Sequence, residues 1–326
     1  STCVRKPIIA TCGVDKTVRV WNYLDNSLEI IKEYTEPVYC ISLHPDGLSM
    51  LIGFGDKLRF CSVFYDDIQF VKEFPIRGCR CVKFSTGGHL FAAVNGSKIQ
   101  IYSSLTYQLI NTLHRHSATV HDLIWGELDT VISSVGNDGA MFIHRLDNQS
   151  SDDASNSYSA SQTTNFGVTA APDFSSLFIV ATDNSNKQKQ QSKAVNTSSK
   201  SRGNIKDDSP IKPPQLATDS APANTNNHRL KEVQNGQVVR ELYFSAAHKQ
   251  VVMSNSGQML FSGDQTGKIY CYQLPICNDK VIYNPHERQI SSMSLTFNDK
   301  FLFTTGDDGV LNVFNIVRDP NAKDPI

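Results

Sequence analysis

Apolar and polar positions alternate along this chain in short runs, and stripes of helical period are absent. A turn signal followed by an alternating run that ends near an aromatic residue recurs as "GVDKTVRVWN" at 13–22, "GFGDKLRFCS" at 53–62, "VNGSKIQIYS" at 94–103 and "GNDGAMFIHR" at 136–145. It returns as "GDQTGKIYCY" at 263–272 and "GDDGVLNVFN" at 306–315. Ahead of each turn lies a second pattern: an apolar, β-branched or aromatic run, a polar Pro/Gly/Asp turn, and another run ending in small residues. Examples are "EPVYCISLHPDGLSMLIGFGD" at 36–56 and "RQISSMSLTFNDKFLFTTGDD" at 288–308. Each unit therefore predicts four short strands joined by tight turns.

The units keep a period. Turn anchors at Asp15, Asp56, Gly96 and Asp138 lie 41, 40 and 42 residues apart, and Asp264 and Asp308 lie 44 apart. "NFGVTAAPDFSSLFIVATDNS" at 165–185 brings a further turn at Asp183, 45 residues after Asp138. Residues 184–227 then interrupt the pattern with almost no aliphatic or aromatic content, a composition that predicts a disordered insert. "HRLKEV" at 228–233 resumes the missing strand, and without the insert the step from Asp183 to Asp264 shrinks to 37 residues. Seven four-stranded repeats of this period predict an all-β fold, a seven-bladed β-propeller spanning 1–316, with 317–326 as a linker or tail. Trp21 and Asn22 make the best copy of the ending that marks WD repeats, and Phe314 and Asn315 a weaker one; Cys61, Tyr102, His144 and Tyr272 fill the Trp slot elsewhere. Only a stub of inner strand precedes Ile8, and "VRDPNAKDPI" at 317–326 has little β-propensity. The last blade is therefore expected to lack its outer strand here, to be supplied from upstream of Ser1.

Charge and composition narrow the function. A net charge of −1 disfavours a protein that coats nucleic acid or acidic membrane, and no apolar run has the length of a membrane helix. Eight cysteines among 326 residues are too sparse for a disulfide scaffold, so free thiols in a reducing compartment are expected.

The candidate chemistry is thin. Cys79 and Cys81 in "GCRCVKF", with His89 downstream, could be half a metal site. That segment aligns with the innermost strands of other repeats, however, and no CxxC or HxxxH completes a ligand set, so these cysteines are expected in the core. "GDQTGKI" at 263–269 has three residues between its glycines, and Ile269 follows Lys268, so it fails as a phosphate loop. His114, His116 and His121 could be ligands or bases. His116 occupies the WD-repeat histidine position ahead of an inner strand and is expected to bond within its blade. No nucleophile, metal or paired-carboxylate motif stands out, so the chain is read as non-enzymatic, without cofactor or metal.

"RKPIIATCGVDKTVRVWNYLDNSLEIIKEYTEPVYCISLHPDGLSMLIGFGDKLRF", "DDIQFVKEFPIRGCRCVKFSTGGHLFAAVNGSKIQIYSS" and "LTFNDKFLFTTGDDGVLNVFN" resemble the cilia- and flagella-associated protein fifty-seven family of axonemal WD-repeat proteins. The resemblance covers most of 3–183 and 228–316 and is closest across 48–98; the 184–227 insert is foreign to it. It implies the second of two tandem propellers, a place in the ciliary or flagellar axoneme, and a part in assembling or docking inner dynein arms. Partners would be inner-dynein-arm components or tubulin, with oligomerisation through a coiled coil outside these residues. The alternative is a cytosolic WD-repeat adaptor, such as a ubiquitin-ligase substrate receptor or a trafficking component.

Partners are expected on the face bearing the loops that enter each inner strand and the turns between second and third strands. Those entering loops carry Arg77, His114, Arg115, His286 and Arg288. The insert leaves from the same face with seven Lys and Arg against three Asp, so a nearly neutral chain gathers positive charge on one side.

Overall fold

The computed structural model describes residues 1–146, 157–159, 163–183, 227–276 and 280–317. They form seven antiparallel sheets in chain order, the blades of a propeller. Blade one holds Ile8–Cys12, Thr17–Asn22 and Ser27–Glu33, with Thr2 bridged to Ile9 as an inner stub. Blade two runs Cys40–Leu43, Ser49–Gly53, Leu58–Val63 and Ile68–Phe74; blade three runs Val82–Phe84, Leu90–Asn95, Lys98–Ser103 and Leu109–Leu113. Blade four comprises Val120–Trp125, Val131–Gly136, Ala140–Arg145 and Ser157–Ser159. Thr163–Ala170, Leu177–Asp183, His228–Gln234 and Gln237–Phe244 make blade five. Blade six is His248–Met253, Met259–Asp264, Ile269–Gln273 and Lys280–Tyr283; blade seven is Ile290–Leu295, Phe301–Gly306 and Leu311–Asn315. Among the described residues no fourth strand pairs with Leu311–Asn315.

Seven anchors in the sequence thus became seven blades. Pairing of Thr182 with His228 continues blade five directly across the insert, as the strand at "HRLKEV" requires. The expected disorder of 184–227 concerns residues that, apart from Asn227, lie outside the described ones.

Stacking explains the burial pattern. The second strand of a blade is covered on both faces, as in Ser49–Gly53 and Leu90–Asn95, whereas an outer strand such as Ser27–Glu33 keeps one deeply buried side chain, Ile30. Six apolar clusters fill the six interfaces between consecutive blades. The seventh interface closes the ring: Tyr23 of blade one packs 5.5 Å from Phe301 and 5.2 Å from Phe303, and the Thr2 hydroxyl lies 3.0 Å from that of Ser294.

Polar clasps also tie neighbouring blades. The buried Asp129 carboxylate, in blade four, accepts from the amides of Thr86 and Gly87 in blade three, both at 2.7 Å. Asp299 accepts from Asn255 and Ser256 in the same way between blades seven and six, at 2.7 and 2.8 Å. Asp129→Ala leaves two amides unpaired and should cost about 1.5–3 kcal/mol, with Asp129→Asn losing less. Equal urea-denaturation midpoints for wild type and Asp129→Ala would show that the clasp contributes nothing.

Candidate docking face

Two of the loops entering the inner strands, those of blades four and seven, are pinned from below by buried histidines. In blade four His116 donates through Nδ1 to the Asp138 carboxylate (3.0 Å), and its Nε2 accepts from the Ser134 hydroxyl at 2.9 Å. Asp138 also accepts from the backbone of Ser117 and Ala140, joining the entering loop to the turn between the second and third strands. Burial holds the His116 ring below the usual imidazole range, partly offset by Asp138. The expected role of His116 within its blade is therefore observed.

Blade seven repeats the arrangement. His286 Nδ1 donates to Asp308 at 3.0 Å, its Nε2 accepts from Thr304 at 2.8 Å, and Asp308 accepts from the amides of Glu287 and Val310. This corrects the expectation that His286 meets partners. Its side chain has no exposed area and both ring nitrogens are engaged, so it holds the loop and presents Arg288. Gly267 (φ 89°) lies beneath that loop, where a side chain would collide with the carbonyls of His286 and Arg288.

The other four candidates reach the surface or its edge. Arg77 and Arg288 are exposed, as is the His114 ring. Arg115 is half-buried, its guanidinium 5.8 Å from the centre of the Phe142 ring. They come from the loops entering blades three, four and seven, so the structure places them on one face but in no single cluster. Among the described residues none of the three arginines has a carboxylate within ion-pair distance.

A set that sequence reading did not group lies nearer the axis. Four inner strands carry a register shift at the same place, skipping His121, Phe166, Lys249 and Ser291 in turn. A β-bulge re-aims the extra residue out of the ladder. Tyr39 and Arg80 occupy the same position in blades two and three, each exposed between two buried neighbours, Val38 and Cys40 or Cys79 and Cys81. One residue per blade, from two to seven, thus rims the mouth of the axis. The repeated motif, a buried residue followed by an exposed or half-buried one as each inner strand opens, was the available signal.

The suspected metal pair is packed away. Cys79 and Cys81 are buried just ahead of the strand Val82–Phe84, with Cys40 Sγ 3.9 Å from Cys79 Sγ. Burial pushes the Cys81 thiol up to about 12, and Cys79 together with burial raises Cys40 well above the usual thiol value. Such groups stay protonated at neutral pH, unlike metal-binding thiolates. His89 is half-exposed, with Nδ1 3.4 Å from Asp129. Among the described residues no three His, Cys, Asp or Glu side chains converge as a metal site. In "GDQTGKI" the Asp264 carboxylate already accepts from the amides of Thr266 and Lys268, leaving neither for a phosphate.

The WD domain, G-beta repeat family matches residues 2–22 and 278–315. Over 97% of its length the chain is 34% identical to cilia- and flagella-associated protein 57 of Mus musculus, covering 22% of that protein. It is 29% identical over 96% of its length to cilia- and flagella-associated protein 57 A of Tetrahymena thermophila, covering 24% of it, and 28% identical over 98% to the C form, covering 23%. The chain spans less than a quarter of the length of these relatives. Over that shared span, seven blades long, the chain is similar to proteins named cilia- and flagella-associated protein 57, and its seven sheets are the blades of a WD-repeat propeller.

Proposed function

We propose that this chain is a non-catalytic docking module of the cilium or flagellum. It serves as the second propeller of a longer protein, sits on the axoneme, and contributes to assembling or docking inner dynein arms. The observation that carries this reading is similarity along nearly the whole chain to proteins named for cilia and flagella. The polar face supports it: clamps at His116 and His286 hold entering loops whose arginines have no carboxylate partner among the described residues. Such a surface is built to meet acidic protein, as on tubulin or a dynein component.

The test is cosedimentation of the full-length protein with isolated axonemes. Arg77→Glu combined with Arg288→Glu should weaken association about fivefold or more at low salt, and the difference should shrink as salt screens the charges. Both side chains are exposed, so stability should stay within about 0.5 kcal/mol of wild type. Arg115 is left intact because it packs on Phe142. Unchanged association, or loss only on altering the opposite face at Tyr65 and Leu105, would remove this surface as the docking site. Localisation away from cilia would favour the cytosolic-adaptor alternative.

A further inference from the structure

We propose that the outer seam between blades four and five, on the face opposite the entering loops, is a docking groove for a short extended segment of a partner protein. The segment carries one large apolar side chain beside a carboxylate. This groove lies apart from the arginine-bearing face and does not depend on it.

The groove exists because blade five omits a cover that the other blades have. In blades one, three, four, six and seven a large side chain just past the third strand packs into the seam with the preceding blade. Tyr23 does so against Phe301 and Phe303, and Tyr107 against Phe60 at 5.0 Å. Leu146, Ile276 and Ile316 join the apolar clusters of their seams, as Ile68 does in blade two from the start of its fourth strand. The third strand of blade five is followed instead by Asn235 and Gly236, at φ 50° and 75°, the tightest kind of hairpin turn. Gln237, which opens the fourth strand, is exposed, and the next apolar residue, Val238, is only half-buried.

What remains is a hollow of about 250 Å³, lined by Met141 and Ile143 from blade four, Leu177 and Val233 from blade five, and by Phe174 and Arg145. Met141, Leu177 and Val233 are buried, Ile143 and Phe174 half-buried, and Arg145 exposed, so the groove runs from an apolar floor to a charged mouth. Its volume falls short of the roughly 300–1,000 Å³ of sites that enclose a drug-sized molecule, so it suits a side chain. Phe174 is a fixed wall. Its backbone sits at φ 56°, its amide donates to the Ala171 carbonyl at 2.9 Å, and a side chain at Gly126 of blade four would come within 3.1 Å of its ring.

The charge at the mouth is uncommitted. Among the described residues no carboxylate pairs with Arg145. Carboxylates on neighbouring segments are taken: Asp173 accepts from the Ser175 amide at 3.1 Å and its hydroxyl at 2.7 Å, and Glu232 from the Gln234 side-chain amide at 3.1 Å. An exposed guanidinium beside an apolar hollow selects a carboxylate next to an aromatic or aliphatic anchor.

The probe is a fluorescein-labelled seven-residue peptide with a central phenylalanine between aspartate and glutamate, titrated against the whole chain by anisotropy. It should half-saturate below about 0.5 mM, the range open to one buried anchor and one ion pair. The same peptide with glycine for phenylalanine should not bind. Arg145→Glu should lower affinity about fivefold or more and should favour a peptide with lysines in place of the acids, whereas Arg5→Glu, an equal change in charge at an exposed site, should alter it less than about twofold. Ser175→Trp, at an exposed position of the lining, should fill the hollow and abolish binding while leaving the urea midpoint unchanged. Equal losses from Arg145→Glu and Arg5→Glu, or equal binding of the glycine peptide, would overturn the proposal. So would binding that appears only when Asp147, Asp152 and Asp153 become asparagine, which would assign the groove to the chain's own residues. Self-association relieved by Ser175→Trp would assign it to a second copy and overturn it equally.

Discussion

Phe91→Ala should destabilise the propeller by about 3–5 kcal/mol, the usual range for deleting a fully buried aromatic ring. Phe91 has no exposed area and fills the interface between blades two and three. Tyr102 stacks on it at 5.2 Å and 13°, with Phe74 at 5.4 Å, Phe84 at 5.9 Å and Phe60 at 6.3 Å. Removing the central ring strips contacts from four others at once, and strands held by ladders on both sides can collapse only partly into the gap. Tyr65→Ala is the matched control, since Tyr65 is almost wholly exposed, and it should change stability by about 0.5 kcal/mol or less. Urea denaturation of both variants checks this. A loss below about 1.5 kcal/mol for Phe91→Ala would mean that the cluster repacks far more readily than ladder-bound strands allow.

Acid should destabilise the fold well before its carboxylates begin to titrate. Burial, reinforced by His116 and Arg115, holds His144 down to about 3. Burial and Lys280 do the same for His248, also about 3. Both rings are free to take a proton at about 6.5 in the unfolded chain but stay neutral in the fold. Stability is therefore undiminished above pH 6.5 and declines as pH falls from there toward 3. Each ring contributes a slope of about 1.4 kcal/mol per pH unit, so at pH 5 the two together remove about 4 kcal/mol. Unfolding free energies between pH 7.5 and 5 check this, with His144→Gln and His248→Gln together expected to flatten the profile. A wild-type profile already flat over that window would mean that the rings are protonated within the fold.

How much of this could be read from residues alone varies with the physics involved. Blade count was legible because each turn between second and third strands needs the same polar or glycine residues, and these repeat at a fixed step whatever the strands contain. Cys79 and Cys81 were legible as core because their segment aligns with the innermost strands of other repeats, which neighbouring blades bury, and no second ligand pair completes a metal site. His286 was misread, although the information was present. His116 to Asp138 and His286 to Asp308 are both 22 residues apart, and the hydroxyl partners Ser134 and Thr304 both stand 18 beyond their histidines. Its neighbours Glu287 and Arg288 made it look like one more polar loop residue. The rim at the axis mouth was harder to see. Tyr, Arg, His, Phe, Lys and Ser share no chemistry, and what unites them is their place at the opening of an inner strand, marked at His121, Phe166, Lys249 and Ser291 by a register shift that becomes visible only when second strands are laid beside first ones.

The closing contacts between blades seven and one set how the molecule comes apart. Linear stacks of repeats fray, because a terminal unit has one neighbour and can leave while the others remain. A ring has no terminal unit as long as Tyr23 rests on Phe301 and Phe303 and Thr2 reaches Ser294. Every blade then has two neighbours, and none can depart without breaking two interfaces. Once that join parts, blades one and seven each keep a single neighbour, and loss can proceed inward one blade at a time. A few aromatic and hydroxyl contacts therefore decide whether seven similar units behave as one cooperative body or as a row.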